Sequence, residues 1–362
     1  MRIAILVYSL TGGGAERVAA LWARGFAEHG HQVTVVIFND HLPVSYALPD
    51  GVQLRSIVSH KTNGVFRVLE RMWKLRRLLR QEKSEVVIDV IPSLERILSR
   101  IGLGCCNIST EHDSFERPEN AKEKLEWFTK FYVNRLYNHV TVLTQADKDV
   151  IGNRLRHVTV MPNPLVWEPA SSVLGKENVV MAVGRKDAWF AKGFDVLIRA
   201  WRQVAIDTAD WRLLIVGGSS GDGQAYLERL CKECDVADSV VFPNYHSNIQ
   251  PYYNQASIFV LSSRYEGFGL VLIEAMSQGC ACVACDYKGR QSEIVTNGVD
   301  GLTCEPDNVD ALAGAIRLLI ADEEMRSSLQ ANAIRRAADY KLDRIMERWE
   351  RVINVNNNGN GL

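Results

Sequence analysis

Two glutamates with seven residues between them are the first candidates for ligand-binding groups. Glu266 and Glu274 lie in the segment RYEGFGLVLIEAM, where two glycines and then an apolar run separate the acids. The segment predicts a loop that leads into a helix, and the N–H groups and dipole at a helix start favour a negative charge. Carboxylates accept hydrogen bonds from hydroxyl groups. The pattern therefore predicts an anionic, hydroxyl-bearing ligand. One of the two glutamates of the protein would lie near each end of that ligand.

Two cationic side chains are predicted near the same site. Arg185 ends the apolar run NVVMAVGR, and Lys192 follows seven residues later, directly before Gly193 and a helical pattern. Two cations at one strand end suit a doubly charged phosphate group. Two solvated surface charges are the alternative. We favour the phosphate because VGR places Arg185 directly at the end of a buried strand.

A glycine-rich loop is predicted after the first apolar run. The segment TGGGAER contains Gly13 and Gly14, and glycines let backbone N–H groups approach an anion at a helix start. The dinucleotide-binding fingerprint needs glycine at the first, third and sixth positions of its motif. Arg17 stands where its third glycine should be, and Asp40, which could bind a ribose, is equally typical of a turn. We expect the loop to approach a phosphate or a sugar, and dinucleotide binding is the weaker alternative.

Alternating strands and helices must position these residues. Apolar runs at Met1–Tyr8 and QVTVVIF begin the series, which lapses between Pro162 and Lys176 and restarts at NVVMAVGR. Such runs are typical of buried parallel strands joined by helices, and ligands of such sheets bind at the carboxyl ends of the strands. We predict an α/β protein with two Rossmann-like βαβ domains that face each other across a cleft. The boundaries are residues 1–165 and 166–345, with a helix end and flexible tail at 346–362.

Composition and charge narrow the class of protein. The chain has 362 residues, of which 47% are apolar and 23% charged, and its net charge is −1. Nothing global therefore favours nucleic acid as a partner. No apolar run reaches the roughly 18–20 residues of a membrane span, and the first run is too short for the core of a signal peptide. We expect a cytoplasmic protein.

The cysteines offer a metal-binding alternative that we do not favour. Cys231 and Cys234, and Cys282 and Cys285, form two C-x-x-C pairs, a spacing that can hold zinc. The first pair lies in a helical pattern and the second in a short apolar strand, where cysteines behave as small hydrophobic side chains. A D-x-D motif at residues 147–149 lies at a predicted helix start, where acids favour the helix dipole. We expect no metal.

Taken together, the motifs resemble those of the retaining glycosyltransferases of the GT-B fold, family 4 type. The segments VGR…KG, VGG…GDG, PN and SRYEGFGLVLIEAMSQGCACVA stand in the order and spacing of that family, and the resemblance covers nearly the whole chain. One departure lies between Arg185 and Lys192, where KDAWFA contains two bulky aromatics. The geometry of this loop is therefore left open.

The resemblance implies a role for each residue of the predicted site. Arg185 and Lys192 would bind the diphosphate of a nucleotide-sugar donor, Glu274 its ribose, and Glu266 the sugar near the reacting carbon. His112, in the segment STEHDS, would hydrogen-bond the sugar or orient the reaction. Further donor contacts are expected at the loop that closes over the sugar, at the turn that reads the base and at the helix start: Gly13, Gly14, Tyr245, Gly267, Phe268, Gly269 and Leu270. The resemblance also implies UDP as the nucleotide, retention at the anomeric carbon and no metal.

A basic segment suggests the acceptor. The stretch VFRVLERMWKLRRLLRQEK has an apolar stripe at helical spacing and a cluster of cations: Arg71, Lys74, Arg76, Arg77 and Arg80. Basic amphipathic helices bind anionic membrane surfaces, whereas the alternative is a solvated face on an ordinary packed helix. The resemblance implies a lipid-pyrophosphate-linked or other glycan acceptor in polysaccharide or lipopolysaccharide assembly. We expect peripheral attachment to the inner face of the cell membrane.

Two other functions remain open from the sequence. One is a nucleotide-sugar epimerase or phosphorylase on the same fold, and the other is a non-catalytic partner that only binds a sugar nucleotide. The presence of both glutamates and both cations disfavours the non-catalytic partner. Donor hydrolysis or transfer by the purified protein separates the three.

Overall fold

The computed structural model describes residues 1–59, 63–116, 121–173, 175–244 and 248–358. The chain forms two compact units. The first unit consists of Met1–Pro164 together with the C-terminal segment that begins at Leu342, and the second is Leu165–Lys341.

A parallel sheet forms the centre of the first unit. Its strands run in the order β3-β2-β1-β4-β5-β6-β7 among the described residues. The strands are β1 (Arg2–Val7), β2 (Gln32–Ile37), β3 (Gln53–Ser56), β4 (Val86–Asp89), β5 (Cys106–Thr110), β6 (His139–Val142) and β7 (Val158–Val160). The helices are α1 (Gly14–Glu28), α2 (Gly64–Gln81), α3 (Leu94–Leu98), α4 (Ala121–Asn134) and α5 (Gln145–Ile151). β1 and β4 are almost wholly buried, as expected of central parallel strands that are covered on both faces.

A second parallel sheet forms the centre of the second unit. Its order among the described residues is β10-β9-β8-β11-β12-β13. The strands are β8 (Glu177–Val183), β9 (Arg212–Val216), β10 (Val240–Val241), β11 (Ala256–Leu261), β12 (Ala281–Cys285) and β13 (Leu302–Cys304). The helices are α6 (Trp189–Lys192), α7 (Phe194–Ala205), α8 (Gly223–Glu233), α9 (Gln250–Gln255), α10 (Leu270–Ser277), α11 (Val309–Ala321) and α12 (Glu323–Ala337). The predicted α/β class with two Rossmann-like domains is therefore confirmed.

The C-terminal helix, α13 (Leu342–Asn358), packs in the first unit. Trp349 meets Trp22 of α1 edge to face, with ring centroids 5.0 Å apart, and Glu350 Oε1 lies 2.7 Å from His31 Nε2. The boundaries drawn from the sequence placed residues up to 345 in the second domain and left 346–362 as a helix end and tail. The apolar face of α13 instead extends the core of the first unit.

The cysteines of the two C-x-x-C pairs are buried in the second unit. Cys282 and Cys285 lie in β12, Cys231 lies in α8, and Cys234 follows that helix. Across the described ranges, no group of three or more His, Cys, Asp or Glu side chains is placed to hold a metal ion. Within the same ranges, no helix combines the length and apolarity needed to cross a bilayer.

Candidate active site

The two predicted donor-binding segments follow neighbouring strands of the second sheet. β8 and β11 pair directly, and the later strands extend the sheet outward from them in opposite directions. Such a switch point leaves a crevice at the carboxyl ends of its two strands, where ligands of open α/β sheets bind. Arg185 follows β8 and Glu266 follows β11. The topology thus brings both segments to the edge of the sheet where a ligand is expected.

Lys192 and Glu266 form an ion pair at this edge. Lys192 Nζ lies 2.7 Å from Glu266 Oε2, and the Ser263 hydroxyl donates a hydrogen bond of 3.2 Å to the same oxygen. Both charged side chains are partly exposed, at 27% for Lys192 and 18% for Glu266. Lys192, which we predict to bind the diphosphate, and Glu266, which we predict to bind the sugar, are therefore in direct contact. Solvent still reaches both side chains.

Gly193 seats the loop that carries Lys192. Its φ of 63° is in the left-handed region, and a Cβ at this position would collide with the carbonyl of Ser262. The Ser262 hydroxyl donates to the Lys192 carbonyl at 2.8 Å, and the Arg264 N–H donates to the Ala191 carbonyl at 3.0 Å. The backbone at the end of β8 is thus fixed against the backbone at the end of β11.

The two aromatics of the KDAWFA segment lie in different surroundings. Trp189 begins α6 and stacks on Tyr226 of α8, with ring centroids 4.0 Å apart. Phe190 is 53% exposed, and the guanidinium carbon of Arg264 lies 4.2 Å from its ring centroid. These contacts give the loop, whose geometry the sequence left open, a defined position.

Arg185 is exposed at the same strand end. In the described part of the chain, its side chain makes no hydrogen bond or ion pair. Because no acid neutralises it there, its charge is available to an incoming anion.

The start of α10 completes this side of the site. Gly269 is the N-cap residue and Leu270 the first residue of the helix, and Gly267 lies in the preceding loop. Phe268 is buried, with its ring 5.8 Å from that of Tyr340. Phe268 thus anchors the loop, while the N–H groups at the helix start carry partial positive charge.

Glu274 lies deeper than the other predicted donor ligands. Its side chain is fully buried, and Oε2 accepts a hydrogen bond of 3.0 Å from the hydroxyl of Tyr253. The role of Glu274 as a ribose ligand stays a prediction, and Tyr245, predicted near the base, lies outside the described residues.

His112 lies in the first unit, just beyond the end of β5. Its Nε2 is 3.2 Å from the hydroxyl of Thr110, and that hydroxyl lies 3.1 Å from each of the carbonyls of Asp89 and Val90. The two nearby carbonyls can take the Thr110 proton, and we therefore predict the tautomer in which Nε2 of His112 carries the proton and donates, with Nδ1 as an acceptor. Loss of hydration, with a smaller contribution from Lys130, lowers the pKa of His112 from 6.5 to about 4. The imidazole is therefore neutral near pH 7.

A cavity of about 360 Å³ lies at the switch point of the first sheet. It is formed where β1 and β4, which are neighbours, reach their carboxyl ends. Its lining includes Tyr8, Glu16, Phe38, Arg71, Ile91 and Arg96. The cavity combines apolar walls with two acids, Glu16 and Glu95, and two arginines, so it suits a polar ligand that also presents an apolar face.

The glycine-rich loop borders this cavity. Gly13 is the N-cap residue of α1 and Gly14 its first residue. The carboxylate of Glu16 fills the space that a Cβ on Gly13 would need, and the Tyr46 hydroxyl donates to the Gly13 carbonyl at 3.2 Å. A side chain at residue 13 would displace Glu16 from the mouth of the cavity.

Three of the five predicted cations of α2 have partners within the first unit. Arg71 binds Glu95 through two hydrogen bonds of 2.8 and 2.5 Å. Lys74 donates to the Val58 carbonyl and pairs with Glu70, and Arg76 donates to the carbonyls of Ser99 and Ile101: the distances are 2.8, 2.9, 3.0 and 2.7 Å. These contacts hold α2 in place, so the three cations are not merely solvated surface charges.

The other side of α2 is open to solvent. Arg77 and Arg80 are exposed, and the Arg77 guanidinium carbon lies 5.4 Å from the centroid of the Trp73 ring. An exposed apolar stripe accompanies them: Val65, Phe66, Leu69 and Trp73, at 68%, 62%, 53% and 58% exposure. The helix thus presents aromatic and cationic groups on one outward surface.

Two residues near these sites were not predicted. Glu16 lines the cavity, and its position three residues after the N-cap residue is a capping spacing that could have identified it. Lys186 is fully buried beside Arg185, and a lysine directly after a buried strand was the available signal.

Of the D-x-D motif, Asp147 is buried and accepts hydrogen bonds from the Thr144 hydroxyl and the Phe115 N–H, each at 2.7 Å.

Comparison with known proteins identifies the family to which both halves of the chain are similar. Residues 167–336 match the family model described as "Glycosyl transferases group 1", and residues 12–165 match "Glycosyltransferase Family 4". The amylovoran biosynthesis glycosyltransferase AmsD of Erwinia amylovora is 29% identical over 94% of this chain and 96% of its own length. The GalNAc-α-(1→4)-GalNAc-α-(1→3)-diNAcBac-PP-undecaprenol α-1,4-N-acetyl-D-galactosaminyltransferase of Campylobacter jejuni is 26% identical over 98% of both chains.

The fold of this chain is shared with a solved structure. HepE of Anabaena, in complex with UDP and glucose, superposes with a TM-score of 0.81 at 18% identity, over 98% of this chain and 100% of HepE. The two parallel sheets have the GT-B fold, and the two family models identify a glycosyltransferase. The chain belongs to the family 4 type of glycosyltransferases.

Proposed function

We propose that the protein is a retaining glycosyltransferase that moves a sugar from a UDP-sugar to a glycan or lipid-linked glycan acceptor during polysaccharide or lipopolysaccharide assembly. The observation that carries the donor part is the Lys192–Glu266 ion pair of 2.7 Å, together with Arg185 after β8, whose side chain has no hydrogen-bond or ion-pair partner among the described residues. It places two cations and one acid at a single switch point, which is the composition that a sugar diphosphate needs.

The charges of this site suit departure of a diphosphate. Breaking the bond between sugar and phosphate develops negative charge on the departing oxygens, and fixed positive groups stabilise that charge without reorganising. Arg185, Lys192 and the N–H groups at Leu270 would supply this positive charge from three segments of the backbone. In this scheme Glu266, which is paired with Lys192, would contact the donor sugar near the anomeric carbon.

His112 contributes a neutral acceptor in this scheme. Its Nε2 proton is engaged by Thr110, so Nδ1 can accept a hydrogen bond from a sugar hydroxyl. A protonated imidazole could not accept, and the pKa of about 4 keeps His112 in the accepting form at neutral pH.

The cavity of the first unit is our candidate for the acceptor. Glu16 can orient an acceptor hydroxyl, whereas Arg71, which is bound to Glu95, and Arg96, which is paired with Asp89 at 2.9 Å, could contact a phosphate carried by the acceptor only by sharing their charge with those acids. The Campylobacter relative is named for a substrate linked to undecaprenol through a diphosphate, and AmsD for the synthesis of amylovoran. These names support a polymer-assembly role and a lipid-linked acceptor.

The outward side of α2 supports attachment to an anionic membrane at its cytoplasmic face. Phe66, Leu69 and Trp73 form an exposed stripe, and Arg77 and Arg80 lie beside it. Apolar side chains that enter the headgroup region, together with cations that meet anionic lipids, are the composition of an interfacial helix. Such attachment brings a lipid-linked acceptor to the enzyme.

The proposal is tested by binding and turnover with a panel of UDP- and GDP-sugars. We expect one UDP-sugar to bind and to be hydrolysed slowly without acceptor, and the anomeric configuration to be retained in the transferred product. If only a GDP-sugar binds, the donor nucleotide is GDP and the proposal of UDP is wrong. Inversion of the anomeric configuration in the product would contradict the retaining mechanism. Release of a sugar 1-phosphate with free phosphate as acceptor would identify a phosphorylase.

A further inference from the structure

Two thiols meet at the carboxyl ends of β12 and β13. Cys285 is the last residue of β12 and Cys304 the last residue of β13, and the two are register partners in adjacent parallel strands. Their Sγ atoms lie 3.7 Å apart. Neighbouring strands are separated by about 4.8 Å, which is within the range of Cα separations, roughly 4.4–6.8 Å, that a disulfide spans. A disulfide between these two residues therefore needs only side-chain rotation and a small approach of one strand.

The C-x-x-C spacing in the sequence indicates a different pair. Cys282 and Cys285 lie in one strand, where side chains three residues apart point to opposite faces and their Cα atoms are about 10 Å apart. A disulfide does not bridge Cα atoms more than about 7 Å apart. The sulfur that the structure places next to Cys285 belongs instead to Cys304, 19 residues further along the chain.

The two thiols differ in their exposure and in their acidity. Cys285 is only 1% exposed, whereas Cys304 is partly exposed. A hydrogen bond from the Cys285 thiol lowers the pKa of Cys304, while the same hydrogen bond and burial raise the pKa of Cys285. The thiolate is the nucleophile in thiol–disulfide exchange. Cys304 is therefore the thiol that attacks an oxidant, and Cys285 is placed to displace the group that the oxidant leaves on Cys304.

β13 lies at the edge of the second sheet and can make the required approach. Within the described residues it is a strand of three residues, and its partner in the sheet is β12. Segments with few buried contacts and few hydrogen bonds move at the lowest cost in free energy. The Sγ atoms must approach from 3.7 Å to about 2.05 Å. We expect β13 to move toward β12, because β12 is buried along its whole length.

The segment after Cys304 is tied to helices α6 and α7. Asp307 Oδ1 lies 2.5 Å from Arg264 Nε. The guanidinium of Arg264 also donates to the Asp195 carboxylate at 2.7 and 2.8 Å and to the Phe190 carbonyl at 2.6 Å. Asp307 is held at a φ of 61°, in the left-handed region. A shift of β13 therefore acts on the arginine that holds the loop of the candidate donor site.

We propose that Cys304 and Cys285 exchange with a small-molecule disulfide, such as oxidised glutathione, to form a reversible disulfide with each other, and that this bond loosens Asp307 from Arg264. The Cys304 thiolate attacks one sulfur of the oxidant, which forms a mixed disulfide and releases one thiolate. The Cys285 sulfur then attacks Cys304 Sγ, and its proton passes to the second thiolate that leaves. Two protein thiols are oxidised, and the oxidant disulfide is reduced to two thiols.

Peptide mapping of the full-length protein tests the disulfide. The reduced protein is incubated with oxidised glutathione, its free thiols are blocked with N-ethylmaleimide, and the peptides are identified by mass spectrometry. We expect one cross-link, between Cys285 and Cys304, that dithiothreitol removes. Cys285→Ala should stop the reaction at a glutathione adduct on Cys304, and Cys304→Ser should give neither product. Cys231→Ala is the matched control, since Cys231 and Cys234 are both buried, and it should leave the cross-link unchanged.

Two results would overturn the thiol pair. One is a disulfide between Cys231 and Cys234 in place of the expected cross-link. The other is a cross-link that forms only after the protein is unfolded in urea. If Cys304→Ser does not fold, the peptide map of the unaltered protein decides the question without it.

The effect on the donor site rests on the proposed function and is measured separately, as the UDP dissociation constant of the reduced and the oxidised protein. We expect oxidation to weaken UDP binding about two- to fivefold, which is the effect of losing a partly exposed ion pair. Asp307→Asn should weaken it by a similar factor without oxidant, and oxidant should not alter UDP binding by Cys304→Ser. Unchanged affinity in the fully cross-linked protein would overturn the coupling. Failure of the reduced protein to bind UDP would instead contradict the proposed function, while the peptide map would still decide the thiol pair.

Discussion

The protonation state of His112 is the prediction that follows most directly from the structure. The hydrogen-bond arrangement at Thr110 favours the Nε2–H tautomer, and the pKa of His112 is lowered from 6.5 to about 4 by burial. Histidine imidazole nitrogens can be assigned by long-range nitrogen–proton correlation spectra across a pH series. We expect a proton on Nε2 throughout the range from pH 5 to pH 8, and a midpoint near pH 4.

The lowered pKa has a consequence for stability. Between pH 4 and pH 6.5 the unfolded chain binds a proton at this position and the folded chain does not, so stability falls as the pH falls through that window. Each unit of pKa difference corresponds to about 1.36 kcal/mol. At pH 5, which lies 1.5 units below the ordinary value of 6.5, the loss attributable to His112 is about 2 kcal/mol. Below pH 4 both states carry the proton and the loss stops growing.

Substitution by a side chain that cannot titrate isolates this contribution. His112→Gln retains an N–H donor for Thr110, so we expect its free energy of unfolding to change less between pH 7 and pH 5 than that of the unaltered protein, by about 2 kcal/mol. His41→Gln is the control, since His41 is 78% exposed. Equal pH dependence of the unaltered protein and His112→Gln would refute the reasoning, as would a proton on Nδ1 or a midpoint above pH 6.

The remaining predictions concern the donor site and the membrane. Glu266→Gln should abolish transfer yet leave UDP affinity unchanged or higher, because Lys192 loses its competing carboxylate; normal turnover would remove Glu266 from the reaction. Arg185→Ala should raise the UDP dissociation constant about tenfold or more, as loss of a charge-assisted hydrogen bond does, and an unaltered constant would place Arg185 outside the site. Activity should persist in EDTA, and rescue by Mn²⁺ of activity lost there would contradict this. Charge reversal at Arg77 and Arg80 should reduce sedimentation with anionic vesicles, whereas the same reversal at the exposed residues 199 and 202 of α7 should not; equal retention by both would favour a solvated face.

The sequence predicted the fold because both sheets are parallel. Parallel strands are buried on both faces and appear as short apolar runs without alternation, as β1, β8 and β11 do. The C-terminal helix shows what such patterns omit. The apolar face of α13 indicates that one side is buried, but an amphipathic pattern does not identify the surface it packs against. Its partner, Trp22, is more than 300 residues away along the chain.

The sequence predicted which residues lie at the strand ends, but it did not predict which of them contact each other. The residues at strand ends followed from the strand pattern, since carboxyl ends of parallel strands share one edge. Lys192 and Glu266, however, are 74 residues apart and meet because β8 and β11 are neighbours, an order that no local pattern contains. The cations of α2 show the same limit. In the sequence the five cations cannot be told apart. In the structure three of them bind partners in the first unit, and the other two, Arg77 and Arg80, are exposed.

The Lys192–Glu266 pair also constrains how the donor enters. The charge of Lys192 is partly neutralised by Glu266 Oε2, which lies 2.7 Å away. To bind a diphosphate, the Lys192 ammonium must either contact the diphosphate and Glu266 together or move from Glu266 to the diphosphate. The pair is partly exposed, and such pairs contribute little to stability, about 0–1 kcal/mol, so its rearrangement opposes binding only weakly. In the proposed reaction, this exchange would leave Glu266 with less positive charge next to it when positive charge develops on the anomeric carbon. A carboxylate freed in this way would stabilise the reacting sugar more strongly than one that remains paired.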